Sequence, residues 1–166
     1  QHDSSLNFEN ALTLIYTLKP DWSNSSYSPG FSKGENKNSN FSTWIGSDKQ
    51  IDISTQVGNN QTENVNSLRP AYDATNDISA GNWYTIAITI DSSNNQKTYI
   101  NGSQVGATKS ITLGATNSLN LTIGQLPGYS HSTYGGGEIG KVILYNSALT
   151  SAQVSSNFNL MSNSST

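Results

Sequence analysis

Two kinds of side chain in this sequence could act on a ligand: carboxylates close enough to work as a pair, and aromatic rings carried on polar loops. Cleavage of a glycosidic bond usually needs two carboxylates about 5 to 10 Å apart. On a strand that means acidic residues two or four positions apart on one face. The four glutamates are Glu9, Glu35, Glu63 and Glu138, and none has an acidic neighbour at that spacing. Asp48 and Asp52 are four apart, but Asp48 falls in the turn around Gly46 and Ser47. With no cysteine, thiol nucleophiles, thiolate metal sites and disulfides are excluded. His2 and His131 are the only histidines, too few for a zinc site built from several imidazoles. The residues therefore read as non-catalytic.

Binding is the better-supplied alternative. A sugar offers a flat apolar ring face to an aromatic side chain and hydroxyls to amides or carboxylates. The segment from Gln125 to Gly137 carries Tyr129, His131 and Tyr134 among glycines that let a backbone come close. Trp22 and Tyr27 lie in an early polar stretch, and Tyr72 stands beside Asp73. Aromatic residues on polar loops are harder to explain as core than those in alternating strands. The candidate ligand-binding set is Tyr129, His131, Tyr134, Trp22 and Tyr72. Asp73 and Asp77, with Asn76 between them, form the densest acidic loop segment and are the candidate metal ligands. The plainer reading of those acids is that they solvate a turn.

The elements that must position these residues are short strands. The chain has 166 residues, about one domain, with residues 5–160 as its folded core and 161–166 as a loose tail. Only 33% of residues are hydrophobic and 11% charged, while Asn, Ser and Thr abound, which favours turns and strands. A net charge of −3, with seven lysines and one arginine scattered singly, argues against a nucleic-acid partner. No apolar run reaches the roughly 18 to 20 residues that would cross a bilayer, so no membrane insertion is expected. The chain opens at Gln1 without Met or a basic-then-apolar leader, as expected of a mature fragment from which any targeting segment has been removed. Six Asn-x-Ser/Thr sequons stand at Asn24, Asn40, Asn60, Asn101, Asn120 and Asn163. With Asn and Ser/Thr this frequent, about that many arise by chance, so they carry no argument.

Residues 11–18 (ALTLIYTL) alternate as a strand, with Leu12, Leu14, Tyr16 and Leu18 in one phase and Pro20 ending it. Residues 21–40 read as a long polar loop. Residues 41–45 and 50–57 form a strand pair across the Gly46 turn, and residues 68–71 a short edge strand because of Pro70. The clearest strand is 83–90 (WYTIAITI), with Tyr84, Ile86, Ile88 and Ile90 on one face. Trp83, at its head, reads as core, and Trp44 as core or a concave sheet face. Asn101-Gly102 is a hairpin signal, since both central residues of a type I′ turn need positive φ. Further strands follow at 119–123 and 139–145. Thr150 and Gln153 form a capping box for one short helix, with Ala152, Val154 and Phe158 on its buried side.

Three segments in order resemble the laminin-G-like members of the concanavalin A-like lectin/glucanase superfamily. They are GNWYTIAITID at 81–91, KTYINGSQVG at 97–106, and LTIG at 121–124 followed by GEIGKVILYNSALT at 137–150. The resemblance implies an all-β fold: a two-sheet antiparallel β-sandwich (a concanavalin A-like jelly roll) with one short C-terminal helix. Polysaccharide-cleaving relatives carry a Glu-x-Asp-x-(x)-Glu pattern, or a tyrosine with a histidine or arginine. The first is missing here, and only His131 and Arg69 could serve the second. Laminin-G modules often hold calcium through Asp or Asn side chains and loop carbonyls, so calcium is the cofactor the resemblance implies, with Asp73 and Asp77 offering hard oxygens. The expected function is a non-catalytic recognition or attachment module, extracellular or on a cell or virion surface, that contacts a glycan or glycoprotein surface through rim loops. The alternative is a structural or decoration domain that contacts neighbouring subunits and no sugar.

Overall fold

The computed structural model describes residues 3–23, 27–28, 30–35, 38–54, 67–125, 127 and 136–163. Among these residues ten strands build two five-stranded antiparallel sheets. In chain order they are β1 (Leu12–Pro20), β2 (Phe31–Glu35), β3 (Asn38–Ile45), β4 (Gln50–Ser54), β5 (Ser67–Asp73), β6 (Tyr84–Ile90), β7 (Asn95–Ile100), β8 (Ser103–Ser110), β9 (Leu121–Ile123) and β10 (Gly137–Tyr145), followed by helix α1 (Ser151–Asn163). The first sheet runs β10-β1-β6-β7-β8 and the second β5-β4-β3-β2-β9. As its proline suggested, β5 is an edge strand.

Alternation places the core. Leu12, Leu14, Tyr16 and Leu18 of β1 join Ile86, Ile88 and Ile90 of β6 against Phe31, Phe41, Ile45, Ile51 and Ile53 of the second sheet. Each such buried aliphatic side chain contributes roughly 1.5–3 kcal/mol. Tyr16 lies deepest. Its ring centroid is 4.5 Å from that of Phe31, and burial pushes its phenol far above the usual range despite a hydrogen bond with Thr43 across the sandwich. The opposite phase of the first sheet is also covered: Ile15, Ala87 and Tyr99 form a second cluster with Val154 and Met161 of α1. Burial on both faces explains why β6 reads as a near-continuous apolar and threonine run.

The local signals for the hairpin and the helix hold. Asn101 and Gly102 have φ of 50° and 82°, closing β7 onto β8. Thr150 N donates to Gln153 Oε1 at 2.9 Å and Gln153 N to Thr150 Oγ1 at 3.3 Å, the two halves of the capping box. Helix α1 is tied down by Tyr145 Oη donating to Asn157 Oδ1 at 2.8 Å.

Four expectations are corrected. The stretch read as a loop at 21–40 contains β2 and the start of β3. β2 (FSKGE) is nearly all polar and yet buried, because Lys33 Nζ donates to Asn117 O at 3.0 Å, Asn117 Oδ1 at 3.1 Å and Leu119 O. Burial lowers the Lys33 pKa. Met161, read as the start of a loose tail, is buried in α1, and Ala152 is exposed while Val154 is buried. Trp83, read as core, is 51% exposed. It precedes β6 in the phase of Thr85 and Ala87, on the face that only α1 covers, and lies where that cover ends.

Candidate functional site

Antiparallel pairing brings one end of many strands to a common rim. Gly81 N donates to Pro20 O at 2.9 Å, and Asp21 N to Gly136 O at 2.8 Å. Gly136 N reaches Tyr27 O at 3.2 Å, Ser28 N reaches Ile45 O at 2.8 Å, and Gly124 N reaches Gly30 O at 2.7 Å. Ala74 N donates to Lys49 O at 2.8 Å, which joins the turn after β5 to the turn before β4. Residues 20–23, 46–50 and 73–81 and both anchors of the 125–136 loop are thus stitched together. Gly137 makes the re-entry into β10 possible. Its φ is 134°, and a Cβ there would stand 2.3 Å from Lys19 O.

Of the expected ligand-binding residues, Trp22 and Tyr72 both lie on the described rim, Trp22 just after β1 and Tyr72 near the end of edge strand β5. Tyr129, His131 and Tyr134 lie outside the described residues. Trp22 is half-buried and packs against the core, and its indole Nε1 is buried without an acceptor among the described residues. Tyr72 also packs against the core, with its ring against Gly106, where an added Cβ would come within 2.6 Å of Cδ2. Its hydroxyl donates to Asp77 Oδ2 at 2.5 Å. That bond, with some desolvation and the negative charges of Asp77 and Asp73, pushes the phenol up to about 12.

Asp73 Oδ1 accepts from Thr75 N at 3.0 Å and from Thr75 Oγ1, and these bonds hold its carboxyl below the usual carboxylate range. Both expected metal ligands therefore lie on one exposed turn, each already accepting a hydrogen bond. Among the described residues no three His, Cys, Asp or Glu side chains gather at one place. The oxygens suit a hard cation, but backbone carbonyls or water would have to complete the six to eight ligands calcium takes. As for a carboxylate pair, Asp48 Oδ1 caps its own turn by accepting from Gln50 N at 3.1 Å. Asp52 is buried on β4 opposite Trp44, itself buried. Glu138 pairs with Lys19 at 2.9 Å.

A second concavity, of about 540 Å³, lies on the outer face of the first sheet beside the end of α1. Trp83, Asn101 and Lys141 line it. The sequence pointed away from it, since a tryptophan heading a strand gives no sign of which face a distant helix will leave open.

The chain matches the family described as the concanavalin A-like lectin/glucanases superfamily over residues 1–155. No curated protein matches the sequence. Solved structures share the fold. The K499G mutant of NanB sialidase from Streptococcus pneumoniae has a TM-score of 0.66 at 18% identity, over 93% of this chain and 25% of that one. Trypanosoma rangeli sialidase has a TM-score of 0.63 at 16% identity, over 92% and 23%. Domain 4 of AbnA, an extracellular arabinanase from Geobacillus stearothermophilus solved with arabinotriose, has a TM-score of 0.59 at 19% identity, over 91% and 68%. The chain thus spans about a quarter of each sialidase's length. At these identities the likeness is one of fold.

Proposed function

The chain belongs to the concanavalin A-like lectin/glucanases superfamily, and from that premise we propose that it is a non-catalytic, extracellular sugar-binding module that meets its glycan at the rim. The observation that carries this reading is the stitching of Trp22, the Tyr72–Asp77 turn and both anchors of the Tyr129–Tyr134 loop into one edge. Carboxylates and backbone amides there can bond hydroxyls, while the tyrosines of the loop supply stacking faces. Asp48 caps its own turn and Glu138 is paired with Lys19, so neither is poised as half of a hydrolytic pair, which supports binding without cleavage. The arabinanase domain solved with arabinotriose lends the fold a saccharide precedent. No helix among the described residues is long and apolar enough to cross a membrane.

The test is a glycan array probed with the full chain in calcium and in EDTA, with Tyr129→Ala and Tyr134→Ala beside it. Binding that falls at least tenfold in either variant supports the rim. Loss in EDTA would assign calcium a part in the site. No array binding, together with a defined oligomer on size exclusion, would replace this reading with a subunit-contact domain. Turnover of a polysaccharide would replace it with an enzyme.

A further inference from the structure

We propose that the groove beside α1 is a second saccharide subsite, independent of the rim and selective for a sugar that carries an anionic group. Three features of its lining point there. The first is an aromatic platform. Trp83 is half exposed and its indole lies over Gly140 of β10, where an added Cβ would stand 3.4 Å from Cζ3 and 3.6 Å from Cη2. Gly140 is not among the positive-φ glycines; an added Cβ would stand 2.5 Å from Thr17 Oγ1, so its lack of a side chain makes room for that hydroxyl and leaves the indole in ordinary contact with the strand. One side of the ring is supported by the sheet, as sugar stacking requires.

The second feature is the polarity of the groups around the ring. Asn101 Oδ1 already accepts from Thr85 N at 2.9 Å, which fixes the amide's orientation and leaves its N–H pair to offer. Thr17 Oγ1 accepts from Lys141 N at 2.8 Å, which leaves its hydroxyl proton to donate. The ammonium of Lys141 is tethered to the end of α1 by its bond to Met161 O at 2.9 Å. Among the described residues it is the one charged side chain lining the groove. Ser162 Oγ, which gives its proton to Asn159 O, is the one lining hydroxyl described that can only accept, whereas the amide of Asn101, the hydroxyl of Thr17 and the charge of Lys141 favour a ligand rich in acceptors and negative charge. The third feature is size, since about 540 Å³ falls in the range of small-ligand sites.

A carboxylate and a sulfate ester share this chemistry, so the experiment carries both. The ¹⁵N-labelled chain has three indole signals, from Trp22, Trp44 and Trp83. It is titrated with methyl β-D-glucopyranosiduronate, methyl β-D-glucopyranoside 6-sulfate and methyl β-D-glucopyranoside. The expected result is a saturable shift of the Trp83 signal with one or both anionic sugars, at least threefold tighter than with the glucoside. Trp83→Ala should weaken that binding about tenfold, read from the Gly140 amide. Lys141→Met, which keeps the aliphatic stem, should erase the anionic preference, a loss of about threefold. No Trp83 shift with any of the three, or equal affinity for the glucoside, overturns the proposal. A shift confined to Trp22 also overturns it while leaving the rim reading intact. Failure of the rim variants on the array leaves this titration unaffected.

Discussion

The rim and the α1 groove offer opposite chemistry from the same scaffold. At the rim the exposed polar groups are mostly acceptors: Asp21, Asp48, Asp73 and Asp77 all carry oxygens there, and Asp21 and Asp73 are held below the usual carboxylate range by hydrogen bonds with Ser23 and Thr75. In the groove they are mostly donors, from Thr17, Asn101 and Lys141. The aromatics differ too. Tyr72 and Trp22 at the rim pack against the core, whereas Trp83 rests on a glycine of the sheet surface. A sandwich can thus carry two surfaces of opposite preference, one made of turns and the other of a sheet face that a helix leaves half covered.

The contrast is sharpest in what removal of a ring costs. Tyr72→Ala takes away a side chain that fills the edge between β5 and β8, and it should destabilise the fold by about 2 kcal/mol. Trp83→Ala removes a ring that is half in water, and it should change stability by less than about 1 kcal/mol. Chemical denaturation of both variants measures this. If Trp83→Ala proves the more damaging, the indole is a structural cover, and its role as a platform falls.

How far these regions can be read from the sequence follows from how local their causes are. β1, β6 and the β7–β8 hairpin were legible because alternation and Asn101-Gly102 act within a few residues. The capping box of α1 is equally local. β2 was not legible. Its buried Lys33 depends on carbonyls 84 and 86 residues away at Asn117 and Leu119, and no pattern inside FSKGE announces them. The rim was legible as a set of loop residues but not as a place, since sheet order decides which strand ends reach it. Trp83 misled for the same reason: its burial depends on where α1 stops.

A middle-sized effect tests the acceptor character of the rim. The Tyr72 phenol titrates at about 12, mainly because it donates to Asp77. A phenol whose pKa is raised on folding holds its proton more firmly in the folded state. Its contribution to stability is therefore full below pH 10 and is lost as pH climbs through about 12. Ultraviolet titration of Asp77→Asn should show one tyrosine moving back toward 10, with the others unchanged. If no tyrosine moves, the Tyr72–Asp77 bond does not govern the turn, and the acceptor reading of the rim loses its best-defined member.

The smallest effect lies where the two regions meet. Lys19 and Glu138 pair at 2.9 Å on neighbouring strands, between the rim turns and the groove floor at Thr17 and Gly140. Both side chains are well exposed, 36% and 62%, so screening leaves the pair about 0.5 kcal/mol at most. Glu138→Gln should shift the unfolding midpoint barely and leave the glucoside titration unchanged. It also frees the Lys19 ammonium two residues along β1 from Thr17, adding positive charge beside the groove. Affinity for the uronide should then rise up to about twofold at low salt and return to the wild-type value at high salt. A fall in uronide affinity on losing this acid would mean that Glu138 itself holds the ligand, and the division between an acidic rim and a donor-lined groove would have to be redrawn at β10.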